Sequence, residues 1–140
     1  MDQEIKKVNL INFGADLHPS VIEAIQEEHK VDIEVKPIRV SLNLKKHSTY
    51  IQIHDVISDN KRLFMNDSFF IINLPGLPIF AAFLITELHA LTGKFPVVLE
   101  CLRDYSHDGI FSPYKYKRLY DLDRERVYSR EGYKNRPENQ

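Results

Sequence analysis

Short apolar segments alternate with amphipathic segments along most of the chain. Five β-strands are predicted, at Lys7–Phe13, Val31–Leu44, Phe69–Leu74, Phe95–Leu102 and Tyr114–Leu122. The second segment alternates apolar and polar positions except for a slip at Pro37, which indicates an edge position or a bulge. A turn around Asp108-Gly109 leads into the last strand.

Segments with helical features separate the first four strands. Pro19 is a favourable first helical residue, and Ser48 is a candidate cap for a second helix that carries Ile51, Ile53, Val56 and Ile57. The segment Leu77–Thr92 is apolar nearly all round, and Gly93 follows it as a C-cap. We expect this last helix to be buried, either inside the domain or at a partner interface.

Strands that alternate with helices favour an α/β fold. The expected architecture is a mainly parallel sheet with helices on both faces and an antiparallel C-terminal edge strand. Residues 1–130 are expected to form a single domain, and residues 131–140 a polar, disordered tail.

The composition is that of an ordinary globular protein. Hydrophobic residues make up 43%, charged residues 28%, and the net charge of -1 argues against bulk electrostatic binding of long nucleic acid. Cys101 is the single cysteine, so a reducing compartment and a buried structural thiol are expected. The N-terminus lacks an apolar signal segment and no apolar run suits a membrane span, so we predict a cytoplasmic protein.

Two strands end in turns of similar composition. Asn12, Phe13 and Gly14 follow the first strand, and Asn73, Leu74, Pro75 and Gly76 follow the third. A tight turn at a helix N-terminus offers N–H groups and a dipole to an anion, and asparagine can recognise a base edge or a ribose. Both turns are predicted to line one shared site. The alternative is that they only terminate strands, since neither is a GxGxxG motif or a P-loop.

No motif supports metal binding or catalysis. The six histidines show no metal-ligand spacing, and no cofactor is predicted. Glu87 and His89 are two residues apart on a predicted helix, so they face different directions and are not expected to form an acid/base pair.

Tyr114–Tyr120 interleaves aromatic and basic residues, which describes either a base-stacking surface or a half-exposed edge strand. The edge strand is the favoured interpretation. Arg103 and Lys117 are retained as candidate phosphate partners.

Four spaced segments carry a family resemblance: Leu10–Gly14, Phe70–Leu77, Leu84–Pro96 and Leu119–Leu122. On these the sequence resembles the Csx-fifteen family of accessory proteins of type III CRISPR systems. The segments fall in the family's order and span most of the chain. The loop Lys45–Thr49 departs from the proline-rich approach to helix two in relatives.

The resemblance implies a Rossmann-like, CARF-related fold that binds cyclic tetra-adenylate as a homodimer or a larger ligand-bridged oligomer. It implies that Asn12, Phe13, Gly14, Asn73, Leu74, Pro75 and Gly76 line the pocket. A symmetric dimer suits such a ligand, because it places two copies of each turn around one ring.

Three functions remain open on the sequence. The first is a non-catalytic protein that sequesters cyclic tetra-adenylate and dampens antiviral signalling. The second is a ring nuclease that positions a ribose 2′-hydroxyl against its neighbouring phosphate, with His18, Arg103 and Lys117 as the residues to test. The third is a protein-interaction module that uses the helix Leu77–Thr92.

Overall fold

The computed structural model of the protein describes residues 4–45, 48–65, 69–103 and 114–135. Ten elements follow one another in these ranges: β1 (Lys6–Asn12), α1 (Pro19–His29), β2 (Val31–Pro37), α2 (Thr49–Asp59), α3 (Lys61–Met65), β3 (Phe70–Asn73), α4 (Pro78–Thr92), β4 (Val97–Arg103), β5 (Tyr114–Asp121) and α5 (Leu122–Lys134). The predicted alternation of strands and helices is confirmed up to β4. Helices α3 and α5 were not predicted.

The five strands form one sheet in the order β2-β1-β3-β4-β5. Strands β2, β1, β3 and β4 are parallel, and β5 pairs antiparallel with β4. The predicted α/β class and the antiparallel C-terminal edge strand are therefore confirmed. Because the chain starts inside the sheet and builds outward in both directions, the order reverses between β1 and β3.

Helices cover both faces of this sheet. Leu10 of β1 packs on the α1 face, whereas Ile11 packs on the face covered by α2, α3 and α4. The α1 face buries Val8, Leu10, Val21, Ile25, Ile33, Ile71 and Leu99. The opposite face buries the larger cluster, which includes Ile53, Ile57, Phe64, Phe80, Leu84 and Leu88.

Strand β2 lies at an edge of the sheet, as the slip at Pro37 indicated, but it ends at Pro37 rather than Leu44. Pro37 pairs with the last residue of β1, and the next residue, Ile38, donates its N–H to the Asn12 carbonyl at 2.9 Å. Beyond that point Ile38, Val40 and Leu42 pack onto the core of the larger cluster. The alternation in this segment therefore reflects burial of every second side chain without strand pairing.

The predicted helix boundaries agree with local capping. Pro19 opens α1, and the Ser48 hydroxyl accepts a hydrogen bond from the Ile51 N–H at 3.4 Å at the start of α2. Gly93 ends α4 with a φ of 76°, a left-handed conformation that glycine adopts without a Cβ penalty. Lys46 and His47 lie outside the described residues.

Helix α4 is buried on one face only. Phe80, Leu84 and Leu88 lie in the core, whereas the Ile79 side chain is 45% exposed. The expected burial is confirmed for the side of α4 that faces the sheet. Burial of its exposed side at a partner interface stays a prediction. No helix in the described ranges is long and apolar enough to cross a membrane.

Helix α5 begins directly after β5, where the Asp121 carboxylate accepts hydrogen bonds from the N–H groups of Asp123 and Arg124. It has no buried residue, so the apolar periodicity that reveals other helices is lacking. Residues 131–134 of the predicted tail are helical, and 136–140 lie outside the described residues. The predicted turn at Asp108-Gly109 also lies outside them.

Candidate functional site

The two predicted turns meet at the carboxyl edge of the sheet. Asn12, the last residue of β1, is in register with Asn73, the last residue of β3. The helices that follow, α1 and α4, lie on opposite faces of the sheet. A crevice between such diverging connections is where open α/β sheets bind ligands.

Asn12 holds the two turns together from a buried position. Its side chain is 2% exposed, and its Oδ1 accepts hydrogen bonds from the Gly14 N–H at 2.9 Å and from Asn73 Nδ2 at 2.8 Å. Its Nδ2 donates to the Ala15 carbonyl at 3.0 Å. Asn12 therefore fixes the positions of the two turns relative to each other and is not exposed at their surface.

Gly14 is required by the close approach of the two turns. A Cβ at this position would lie 2.8 Å from the Leu74 carbonyl oxygen and 2.9 Å from Asn73 Nδ2. Both distances are shorter than real side-chain carbons tolerate, and the first neighbour is backbone. By contrast, a Cβ at Gly76 would meet nothing within 4 Å.

An arginine outside the predicted turns secures the loop after β1. Arg39 Nη1 donates to the Gly14 carbonyl at 2.5 Å, and its Nη2 pairs with the Asp16 carboxylate. The Arg39 side chain is 56% exposed, so it lies over the loop at the surface. This contact was not predicted, since Arg39 is 25 residues from Gly14 along the chain.

A cavity of about 680 Å³ opens between the two turns. Four of the predicted ligand-binding residues line it: Gly14, Asn73, Leu74 and Gly76. Leu17, Val21, Cys101 and Tyr114 add apolar and aromatic surface, and Ala15, Asp16, His18 and Pro19 complete the wall. Tyr114 belongs to the Tyr114–Tyr120 segment, for which a base-stacking surface was the alternative to an edge strand, and its register with Arg103 across β4 and β5 brings it to the cavity.

The other four predicted residues do not line this cavity. Asn12 lies behind it, and Phe13 is 7% exposed in the core with its ring edge-on to Phe80 at 6.0 Å. Pro75 lies in the β3 turn without contributing to the wall, and Arg103 ends β4 as an exposed residue. Phe13 thus packs against Phe80 of α4 and holds its turn on the core, because burial of an aromatic ring is strongly favourable.

The two helix N-termini beside the cavity differ. His18 Nδ1 accepts from the Ser20 N–H at 3.1 Å and so caps α1. At α4 the cap residue is Leu77, which makes no side-chain cap hydrogen bond. Gly76 lines the cavity two residues before α4 starts, but no residue of α4 itself does, and Pro78, its first residue, has no N–H.

Lys117, a candidate phosphate partner, and Cys101, the single cysteine, lie on the two strands at the C-terminal edge of the sheet. Lys117 pairs with Glu100, with 3.4 Å between the ammonium and carboxylate atoms. Burial, reinforced by the charge of Glu100, raises the pKa of the half-buried Cys101 thiol. Cys101 was expected to be a buried structural thiol; it is only half-buried and contributes surface to the cavity.

Glu87 and His89 do not pair with each other. Glu87 Oε2 lies 2.9 Å from Nδ1 of His54, and the Tyr50 side chain is also hydrogen-bonded to Glu87. His89 instead stacks on Phe95, with 4.3 Å between ring centroids. Burial acts to raise the pKa of Glu87, but the bonds from Tyr50 and His54 and the His54 charge outweigh it and lower that pKa.

No protein-family model matches the chain, and no curated protein or solved structure matches it either. Within the described ranges, no group of three or more His, Cys, Asp or Glu side chains is arranged to hold a metal ion. Functional inference therefore depends on the geometry of the cavity and its surroundings.

Proposed function

We propose that this protein binds cyclic tetra-adenylate at the cavity between the β1 and β3 turns and sequesters it, dampening type III CRISPR antiviral signalling in the cytoplasm. The observation that carries the proposal is the meeting of both asparagine turns at the switch point of the sheet, around a cavity of about 680 Å³. A Rossmann-like, CARF-related fold belongs to the same proposal. The strand order 2-1-3-4-5 supports a doubly wound sheet with a switch point, although it is the flavodoxin-like order and not the classic Rossmann one.

The walls of the cavity match the two chemistries of a nucleotide. Leu17, Leu74 and Tyr114 provide apolar and aromatic surface for a planar base. At the margin of the cavity, two residues after Gly76, the first turn of α4 lacks a side-chain cap, and its N–H groups after Pro78 are candidate donors for a phosphate. These local donors do not depend on the net charge of the chain, which is only -1.

The size of the ligand favours two protomers. A cavity of about 680 Å³ is the size that holds one drug-sized ligand. A ring of four nucleotides is larger than that, so one cavity accommodates only part of it. A two-fold symmetric dimer would bring two such cavities to one ring, with equivalent contacts on both sides. We therefore propose a homodimer, or a larger assembly bridged by ligand, as the binding unit.

Sequestration is favoured over cleavage by the state of His18. This histidine lines the cavity, and its Nδ1 is engaged with both the backbone N–H and the hydroxyl of Ser20, the latter at 2.8 Å. A base that cleaves RNA must instead be free to take the proton of a 2′-hydroxyl. Cleavage is the second candidate function, because His18 itself lines the cavity.

The deciding experiment incubates cyclic tetra-adenylate with stoichiometric and then substoichiometric protein and resolves bound, free, intact and cut ligand over time. Binding at stoichiometric protein, with intact ligand recovered after denaturation, is the expected result. Multiple turnovers to linear product would establish a ring nuclease instead. If no ligand binds, the exposed side of α4, which includes Ile79, becomes the candidate surface of an interaction module.

A further inference from the structure

The amide of Asn12 has one possible orientation. Its Oδ1 faces the Gly14 N–H at 2.9 Å, and its Nδ2 faces the Ala15 carbonyl at 3.0 Å. A backbone N–H can only donate and a carbonyl can only accept, so exchanging the two ends of the amide would break both bonds. The main chain of the β1 turn thus fixes Oδ1 of Asn12 as an acceptor.

This fixed acceptor determines the orientation of Asn73 in turn. The Asn73 atom 2.8 Å from Asn12 Oδ1 must be a donor, and it is therefore Nδ2. The Asn73 backbone is held at the same place, because its carbonyl accepts the Phe13 N–H at 3.1 Å. Oδ1 of Asn73 is consequently on the side of the amide away from Asn12.

We infer that Asn73 presents Oδ1 to the cavity as an orientationally fixed hydrogen-bond acceptor that selects a base carrying an exocyclic amine. Asn73 lines the cavity, and the neighbouring walls from Leu17, Leu74 and Tyr114 suit the faces of a planar ring. The N6 amine of adenine supplies the donor that this acceptor needs. A keto oxygen at the same position, as in hypoxanthine, would place two acceptors against each other. The inference rests on the proposed function and adds its base specificity.

The test compares cyclic tetra-adenylate with cyclic tetra-inosinate, which keeps the ring, phosphates and riboses but replaces the amine with a keto group. The dissociation constants for the wild-type protein are measured by calorimetry or by competition with a labelled ligand. We expect the inosinate to bind about tenfold to a hundredfold more weakly, because the bound base covers the Asn73 acceptor and the keto group leaves it without a donor. A 2′-deoxy analogue of cyclic tetra-adenylate is expected to keep most of the affinity.

The variant Asn73→Ala assigns the preference to this side chain. It is expected to bind the two rings with similar affinity, whereas the matched control Asn135→Ala, at the exposed end of α5, keeps the wild-type preference. The comparison of ligands on wild-type protein stands even where Asn73→Ala fails to fold.

Each other outcome is informative. Equal binding of both rings by the wild-type protein overturns the inference and leaves the proposed function intact. A preference for the adenylate ring that survives in Asn73→Ala also overturns the inference. A loss of affinity confined to the 2′-deoxy ring overturns it as well, since the acceptor would then bind a ribose hydroxyl. If cyclic tetra-adenylate itself does not bind, the proposed function falls and the inference falls with it.

Discussion

The carboxylate of Glu87 on α4 lies 2.9 Å from Nδ1 of His54 on α2 and joins two of the three helices that cover one face of the sheet. The Glu87 side chain is 7% exposed, while that of His54 is 57% exposed. Glu87 is thus a nearly buried carboxylate whose hydrogen bonds reach outward to a residue at the surface. Removing such partners leaves a desolvated charge, which is costly in a folded protein.

The Glu87 contact predicts a loss of stability in acid. The pKa of Glu87 is lowered from its ordinary value of 4.5, so the folded state holds this carboxylate ionised at a pH where the unfolded chain takes up a proton. Its contribution is therefore present above pH 4.5 and is lost as the pH falls through the lowered pKa. Urea unfolding of Glu87→Gln, followed from about pH 6 to about pH 3, is expected to show a shallower loss than the wild type.

Glu131→Gln is the matched control for this measurement. Glu131 lies 3.8 Å from Lys134 on α5, and its side chain is 61% exposed. We expect its pH dependence of stability to follow that of the wild type, since exposed pairs contribute little. An unchanged slope in Glu87→Gln would show that Glu87 does not carry the acid sensitivity.

Gly14→Ala is predicted to disrupt the junction of the two turns. The new methyl would lie 2.8 Å from the Leu74 carbonyl oxygen, so the backbone must shift at a cost of about 1–3 kcal/mol in unfolding free energy. Affinity for cyclic tetra-adenylate should fall as well, because the shift moves the cavity wall. Thermal or urea unfolding and a binding isotherm measure the two effects.

Gly76→Ala gives the comparison for Gly14→Ala within the same cavity. A Cβ there meets nothing within 4 Å, and Gly76 does not have a positive φ. Its stability should stay within about 0.5 kcal/mol of the wild type or rise slightly. Equal destabilisation by the two substitutions would show that the close approach of the Leu74 carbonyl is not what disfavours a side chain at Gly14.

Arg39→Ala is predicted to affect binding more than folding. Its partners, the Gly14 carbonyl and the Asp16 carboxylate, lie at the surface, so the loss in stability should be below about 1 kcal/mol. The loop after β1 forms a wall of the cavity, and releasing it should weaken ligand binding several-fold. Lys7→Ala removes another exposed pair, Lys7–Glu34 at 2.9 Å, from residues that do not line the cavity. A similar loss of affinity in both variants would contradict a specific role for Arg39.

Tyr116→Phe is predicted to loosen the contact between the C-terminal edge strand and α1. The Tyr116 hydroxyl donates to the Glu28 carboxylate and lies 3.1 Å from His29 Nε2, and burial followed by the Glu28 bond raises the pKa of this phenol. Loss of the hydroxyl should cost about 1 kcal/mol of unfolding free energy. Tyr128→Phe, at a side chain that is 78% exposed on α5, should leave stability unchanged. Faster hydrogen exchange of the β5 amides in Tyr116→Phe would locate the destabilisation at the edge strand. An equal loss of stability in Tyr128→Phe would contradict a specific role for the Tyr116 hydroxyl.

Local patterns were sufficient for most elements. Apolar runs placed β1, β3 and β4, and caps such as Ser48 and Gly93 placed helix ends, because these signals act over a few residues. Local patterns failed for two segments, whose structure does not follow from an apolar periodicity. The segment after Pro37 alternates like a strand but covers the core without pairing, and α5 has no apolar face to detect.

The sequence by itself determined the alternating strands and helices, the antiparallel last strand and the two asparagine turns, because these depend on the chemistry of neighbouring residues. Only the tertiary structure decided that Asn12 and Asn73 would bond to each other, that Phe13 would turn into the core and that Tyr114 would reach the cavity. Those outcomes depend on strand order and register, which bring together residues such as Asn12 and Asn73 that are 61 positions apart. Distant contacts of this kind are set by packing of the whole domain, and no local spacing encodes them.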